Sequence, residues 1–212
     1  MKSKKYRINE IFFSLQGEGY NTGQAAVFIR FAGCNMRCSF CDTDFNSYTE
    51  MTSDEILSHL KDIPVPHSTL AVLTGGEPTL QADTALVASL KAMGFEVAME
   101  SNGSLPAPEN LDWLTLSPKV PKMEPALGSK YGKELKLVFT SAEDTDRFLS
   151  ELLASSPDMR QFMEEARCLS LQPCDTGNAE RNAEIMRECI EYIKRNPQWR
   201  LSLQTHKFLN IP

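Results

Sequence analysis

Short apolar runs recur along the chain, each followed by a cluster of polar, glycine or proline residues. Residues 26–32, 69–74, 95–100, 113–116, 134–139, 168–171 and 199–204 read as strands. Most are continuously apolar rather than alternating, as in a parallel sheet covered on both faces. Helical patterns lie between them. Residues 53–62 start on the capping box Thr52-Ser53-Asp54-Glu55, with Thr52 as N-cap. Residues 82–93 form another helix, and Gly94 suits its C′ position. Ser141 caps a helix running to Leu153, stopped by Pro157; a shorter one covers 158–166, and the longest, 179–195, ends before Pro197. Alternating strands and helices imply parallel strands with right-handed crossovers. Residues 117–133 break the alternation, with Pro118, Pro121, Pro125, Gly128 and Gly132 and no helical period. Seven strands fall short of an eight-stranded barrel. The expected fold is α/β: an open, partial parallel β/α barrel with few helices, in one domain spanning 1–212.

Composition narrows the partners. A net charge of −6 argues against a broad electrostatic grip on nucleic acid. The basic start, Met1-Lys2-Ser3-Lys4-Lys5-Tyr6, leads into no apolar signal region. No apolar run approaches the ~20 residues of a membrane helix. A cytoplasmic location is expected, where thiols stay reduced and clustered cysteines point to metal or redox chemistry.

Three of the six cysteines are clustered, Cys34, Cys38 and Cys41, spaced Cys-x3-Cys-x2-Cys. Three thiolates leave a four-iron cluster one ligand short, so an open iron can bind a reactant. A structural zinc site is the alternative, but zinc usually takes two separated ligand pairs and no second pair exists. Cys168, Cys174 and Cys189 read as small buried side chains. The remaining chemistry follows predicted strand ends: Thr74-Gly75-Gly76-Glu77-Pro78, Glu100-Ser101-Asn102-Gly103, Ser117-Pro118-Lys119, Gln172-Pro173-Cys174-Asp175 and Gln204-Thr205-His206-Lys207. Ligands gather at such carboxyl ends. The two glycines let backbone approach a ligand, and Glu77 can accept from an ammonium. Arg30 interrupts an apolar strand, an unusual place for a charge. A substrate carboxylate or an internal ion pair would account for it. His206 ends the last strand on this rim, whereas His59 and His67 carry no role. The apolar ending Phe208-Leu209-Asn210-Ile211-Pro212 is expected to dock rather than fray.

The cysteine spacing with Phe40 before the last cysteine, together with Gly75-Gly76-Glu77-Pro78, resembles the radical S-adenosylmethionine enzymes. Asn9-Glu10-Ile11-Phe12, Leu15-Gln16-Gly17-Glu18-Gly19, Phe28-Ile29-Arg30, Cys41-Asp42-Thr43, Ser117-Pro118-Lys119 and the stretch from Gln204 to Asn210 are similar to the 7-carboxy-7-deazaguanine synthases. That resemblance covers nearly the whole chain. It implies conversion of 6-carboxy-5,6,7,8-tetrahydropterin to 7-carboxy-7-deazaguanine with loss of ammonia, in a homodimer serving queuosine and tRNA modification. It also implies one 4Fe-4S cluster per subunit on Cys34, Cys38 and Cys41, S-adenosylmethionine, Mg2+ at Thr43 and an external flavodoxin- or ferredoxin-like reductant. No direct contact with nucleic acid or membrane is implied. The implied cofactor contacts are Phe40, Cys41, Asp42, Gly75, Gly76, Glu77, Ser117, Pro118, Lys119, Gln172, Pro173, Cys174 and Asp175. The implied substrate contacts are Leu15, Gln16, Gly17, Arg30, Thr74, Glu100, His206 and Pro212. Glu100-Ser101-Asn102-Gly103 departs from a commoner Glu-Thr-Ser-Gly. A glycyl-radical activase and a non-catalytic metal-binding module remain the alternatives.

Overall fold

A computed structural model describes residues 3–41, 47–66, 69–122, 132–156 and 158–212. Among these, nine strands form one open sheet: β1 (Lys5–Leu15), β2 (Ala25–Phe31), β3 (Thr49–Thr52), β4 (Leu70–Gly75), β5 (Glu96–Ser101), β6 (Trp113–Leu116), β7 (Gly132–Phe139), β8 (Cys168–Pro173) and β9 (Trp199–Leu201). The order is β3-β1-β2-β4-β5-β6-β7-β8-β9. From β2 to β9 every pair is parallel, while β1 runs antiparallel to both β2 and β3. The helices are α1 (Ser53–Lys61), α2 (Thr84–Ala92), α3 (Ala142–Ser155), α4 (Met159–Glu165), α5 (Ala179–Arg195) and α6 (Thr205–Leu209). Among the described residues the β5–β6 and β6–β7 connections contain no helix, which is how the helix count falls below one per strand.

The seven expected strands are present; β1 and β3 are additions. Strand β1 escapes a period-two reading because its register shifts between Ile8 and Glu10. A bulge there flips the alternation. Tyr6 and Ile8 pack in the core before it and Ile11 packs there after it, while Phe12 turns to the other face. The last expected strand is too long. Strand β9 stops at Leu201 and Thr205 opens a short helix, so His206 sits on α6 rather than at a strand end.

Alternation across the sheet divides the two faces. One face carries Val27, Ile29, Phe31, Leu73, Met99, Leu116, Leu137 and Phe139 into a core shared with Ile56, Leu60, Leu86, Leu90, Leu152, Phe162 and Ile185 from the helices. The opposite face has a smaller apolar cluster, Ala26, Phe28, Leu70, Val72, Ala98 and Trp113. Both clusters use the same strands, which is why the runs read as continuously apolar. Toward the strand C-termini the second face turns polar, with Arg30, Thr74, Glu100 and Lys136.

Four of the helices start on a side-chain cap, while Asp158 before α4 and Gln204 before α6 make no capping hydrogen bond. Thr52 and Glu55 form the reciprocal capping box of α1, and Asp83, Ser141 and Asn178 cap α2, α3 and α5. On the polar face, Glu134 of β7 is almost fully buried. It accepts from the Tyr20 backbone N–H, from Thr115 Oγ1 at 3.1 Å and from Ser170 Oγ at 2.6 Å. This carboxylate pins the β1–β2 hairpin to the middle of the sheet. Glu134→Ala strands those donors and is expected to lower unfolding free energy by about 3 kcal/mol or more, read from a denaturant midpoint.

Candidate active site

A cavity of about 860 Å³ opens where the parallel strands end. Cys34, Cys38 and Cys41 lie on the loop leaving β2, and all three line it. The Cys41 N–H donates to the Cys38 carbonyl at 3.2 Å, and the Met36 N–H donates to Cys34 Sγ at 3.4 Å. Burial pushes the Cys34 and Cys38 thiols up; Lys119 opposes this at Cys38. Asp42 and Thr43 lie outside the described residues.

Gly75 and Gly76 end β4 against the root of that loop. A Cβ on Gly75 would sit 2.1 Å from the Phe31 carbonyl oxygen, and one on Gly76 would sit 2.0 Å from the Gly33 carbonyl oxygen. The Gly76 N–H donates to Phe31 and the Glu77 N–H to Gly33, both at 3.0 Å. What these glycines admit is the backbone of the cysteine loop as well as any ligand in the cavity. Glu77, fully buried, accepts from Thr79 N–H and Oγ1, from Ser101 Oγ and from the Asn102 N–H. Much of its carboxylate therefore holds the turn, leaving less for an ammonium than its sequence position suggests. Asn102 also donates to Asn35 at 3.0 Å, and Asn35 to Ser104 Oγ at 2.8 Å, tying the cysteine loop to the end of β5.

In the same cavity, the Lys136 ammonium on β7 is held by Glu18 at 2.6 Å and Glu100 at 3.1 Å. Gln16 Nε2 donates to the other oxygen of Glu100 at 2.9 Å, and Gln204 Nε2 to the other oxygen of Glu18 at 3.1 Å. Burial works against the Glu18 charge, but Lys136, Gln204 and Gln172 outweigh it and bring the Glu18 carboxyl down to about 2. Burial likewise works against Lys136, yet Glu100 and Glu18 raise it above the ordinary lysine value.

The rest of the rim is assembled from strand ends and the loops that follow them. Arg30 lines the cavity, with its Nε donating to Glu10 at 2.7 Å and its guanidinium over the Phe12 ring. An internal ion pair is thus present, while the remaining guanidinium donors are not part of it. Phe40, Thr74, Ser117, Lys119, Gln172, Pro173, Cys174 and Asp175 line the cavity as well. Burial pushes Lys119 below the ordinary lysine value, helped by the Lys136 charge, and its Nζ donates to Ser117 Oγ. Pro118 faces a separate cavity of about 350 Å³. Asp175 is held by Lys207 at 2.8 Å and by Asn182 at 2.7 Å. Leu15, Gln16 and Gly17 approach from the β1–β2 hairpin, and a Cβ on Gly17 would sit 2.3 Å from His206 Nδ1. Pro212 lines the cavity, its oxygen accepting from Ser14 Oγ at 2.9 Å.

The model of the Radical SAM superfamily matches residues 28–120. The 7-carboxy-7-deazaguanine synthase of Bacteroides thetaiotaomicron is 43% identical over 97% of this chain and 98% of its own length. That of Burkholderia multivorans is 40% identical over 98% of this chain and 99% of its own. The chain belongs to the 7-carboxy-7-deazaguanine synthase family. The crystal structure of QueE from Escherichia coli superposes with a TM-score of 0.74 at 28% identity, covering 94% of this chain and 93% of that one.

Membership in this synthase family implies a 4Fe-4S cluster and S-adenosylmethionine. The donor set fits: three thiols from one short loop line the cavity, and iron–sulfur clusters are held by closely spaced Cys thiolates. Bound iron would also favour the thiolates that burial disfavours. Lys136 and Glu18 carry no expectation in the sequence reading, although Lys136 interrupts an apolar strand as Arg30 does.

Gly76→Ala should force the β4 turn away from the cysteine loop, costing roughly 1–3 kcal/mol and lowering iron per chain after reconstitution. Iron analysis beside a thermal melt checks this. Because the Glu18 pKa is depressed on folding, its stabilisation is present above the unfolded value near 4.5 and is lost as pH falls toward about 2. Glu18→Gln should flatten that acid limb in a pH series of unfolding midpoints.

Proposed function

We propose that this chain converts 6-carboxy-5,6,7,8-tetrahydropterin to 7-carboxy-7-deazaguanine with loss of ammonia. The observation that carries the proposal is one cavity lined both by the three cysteines and by carboxylate, amide, guanidinium and imidazole groups. Bound at the cysteines, the cluster and S-adenosylmethionine supply a one-electron reduction and a carbon radical able to take hydrogen from a substrate.

The protein's part is placement. Arg30, already oriented by Glu10, presents its free guanidinium edge to the substrate carboxylate. Gln16 and Glu100 offer a donor–acceptor pair to the pterin ring, with Leu15, Gly17, Thr74 and His206 completing that wall. Pro212 stands at the cavity as a substrate contact, while Phe208 and Leu209 of the tail stay largely exposed. Phe40, Cys41, Gly75, Gly76, Glu77, Ser117, Lys119 and Gln172 to Asp175 line the cavity where S-adenosylmethionine would bind, and the family resemblance adds Asp42; Pro118, which faces the separate cavity, is not among these contacts. Thr43 contributes a hydroxyl to Mg2+, which prefers oxygen ligands and keeps several waters. The reading extends to a cytoplasmic homodimer, fed by a flavodoxin- or ferredoxin-like reductant, whose product enters queuosine synthesis. No helix among the described residues is long and apolar enough to cross a membrane.

The deciding assay supplies anaerobically reconstituted protein with reductant, S-adenosylmethionine, Mg2+ and the carboxytetrahydropterin. Deazaguanine and ammonia should appear together; a fully loaded protein that yields neither is not this enzyme. Arg30→Ala should keep its iron while raising KM by about tenfold or more, since it removes a charged contact. Equal iron loss in Arg30→Ala and Cys34→Ala would instead place Arg30 in the cluster's support.

A further inference from the structure

Lys136 lies outside every motif of the sequence yet occupies the centre of the polar wall. Its side chain is 5% exposed and touches carboxylates from two distant segments, Glu18 of the β1–β2 hairpin and Glu100 at the end of β5. Each carboxylate gives one oxygen to Lys136 and the other to a glutamine amide. The pair therefore has no rotational freedom left: ammonium on one side, Gln16 or Gln204 on the other. Two carboxylates sharing one site cannot both stay charged without a cation between them. The charged groups facing Lys136 are Glu18, Glu100, Glu134 on its own strand and Lys119 from the loop after β6.

We propose that Lys136 is a positioning residue whose ammonium fixes both the charge and the direction of the Glu18–Glu100 pair, so that Glu100 meets the pterin as an oriented acceptor. The inference rests on the pterin reading for the last clause only. Without Lys136 the pair loses the cation between its carboxylates, uptake of a proton by the pair is the expected response, and the donor–acceptor pattern shown to the ring changes. Glu18 also loses the contact that draws the hairpin toward β7, so Gln16 loses its support.

The test compares wild type, Lys136→Gln and Lys136→Arg, reconstituted and matched for iron and sulfide. Glutamine keeps a donor and drops the charge; arginine keeps the charge. Infrared difference spectra of substrate-free protein, titrated between about pH 6 and pH 8, report carboxyl protonation directly. Lys136→Gln should show a protonated-carboxyl band at neutral pH that wild type and Lys136→Arg lack. With the pterin, its KM should rise by about tenfold or more, with kcat changed far less. That deficit should be larger near pH 6 than near pH 8, because the shared proton leaves as pH rises. Absence of the band, or a KM deficit that ignores pH, overturns the inference. If Lys136→Gln cannot hold the cluster, Lys136→Arg decides: wild-type KM supports the role of charge, and a raised KM in cluster-loaded protein overturns it. Failure of wild type to use the pterin would sink the functional reading, while the band still decides whether Lys136 sets the pair.

Discussion

Backbone meets backbone where β4 ends and the cysteine loop begins, and the cavity is organised around that contact. Only residues without a Cβ allow it, since carbonyl oxygens of Phe31 and Gly33 occupy the space that side chains at Gly75 and Gly76 would need. Two N–H groups then hold the loop root to the turn. Glu77 carries the link onward to Ser101 and Asn102, and Asn102 returns it to the loop at Asn35. Three consecutive pieces of the sheet are thereby locked with the cysteines facing the cavity. A loose loop would present the same thiols without a fixed relation to the polar wall.

Much of the fold was legible because burial on both faces leaves a coarse signature. Apolar runs such as 70–73 and 135–139 survive as strands, and capping residues such as Thr52 and Ser141 start helices where they stand. Strand β1 was not legible because its bulge moves the apolar positions from one parity to the other, and no period spans it. Helix α6 was missed because its five residues are too few to show a helical repeat. The strand-end clustering of polar motifs was readable before the fold, and most of those residues do line the main cavity, Pro78, Gly103, Pro118 and Thr205 being the exceptions. The work of individual groups was less so. Glu77 has a local structural duty that no spacing reveals, and Lys136 meets partners 118 and 36 positions away, separations with no local pattern.

The two parts of the cavity lining also differ in how they are stabilised. The cysteine loop depends on close backbone approach and on the hydrogen bonds gathered by the buried Glu77 carboxylate. The polar wall depends on charge held in a poorly solvated place, where each ion is tolerable only through its neighbours. Glu134, Glu18, Glu100 and Lys136 all belong to that second regime. Substitutions there act on orientation and ionisation together, so conservative changes in size do not amount to conservative changes in chemistry.

The hairpin between β1 and β2 has a consequence for the order of assembly. Its hydrogen bonds to the C-terminal segment, Gly19 to Ser202, Gln204 to Glu18 and Thr205 to Gly17, span sequence separations of 183, 186 and 188 residues. The contacts that frame the cysteines need only the first hundred or so residues. Contacts between such distant segments close late, because their loop entropy must be met first. During synthesis the cluster's cradle can therefore be complete while the substrate wall still awaits the last residues made. The residues that complete the substrate wall are thus the last ones made, whereas those that frame the cysteines are among the first.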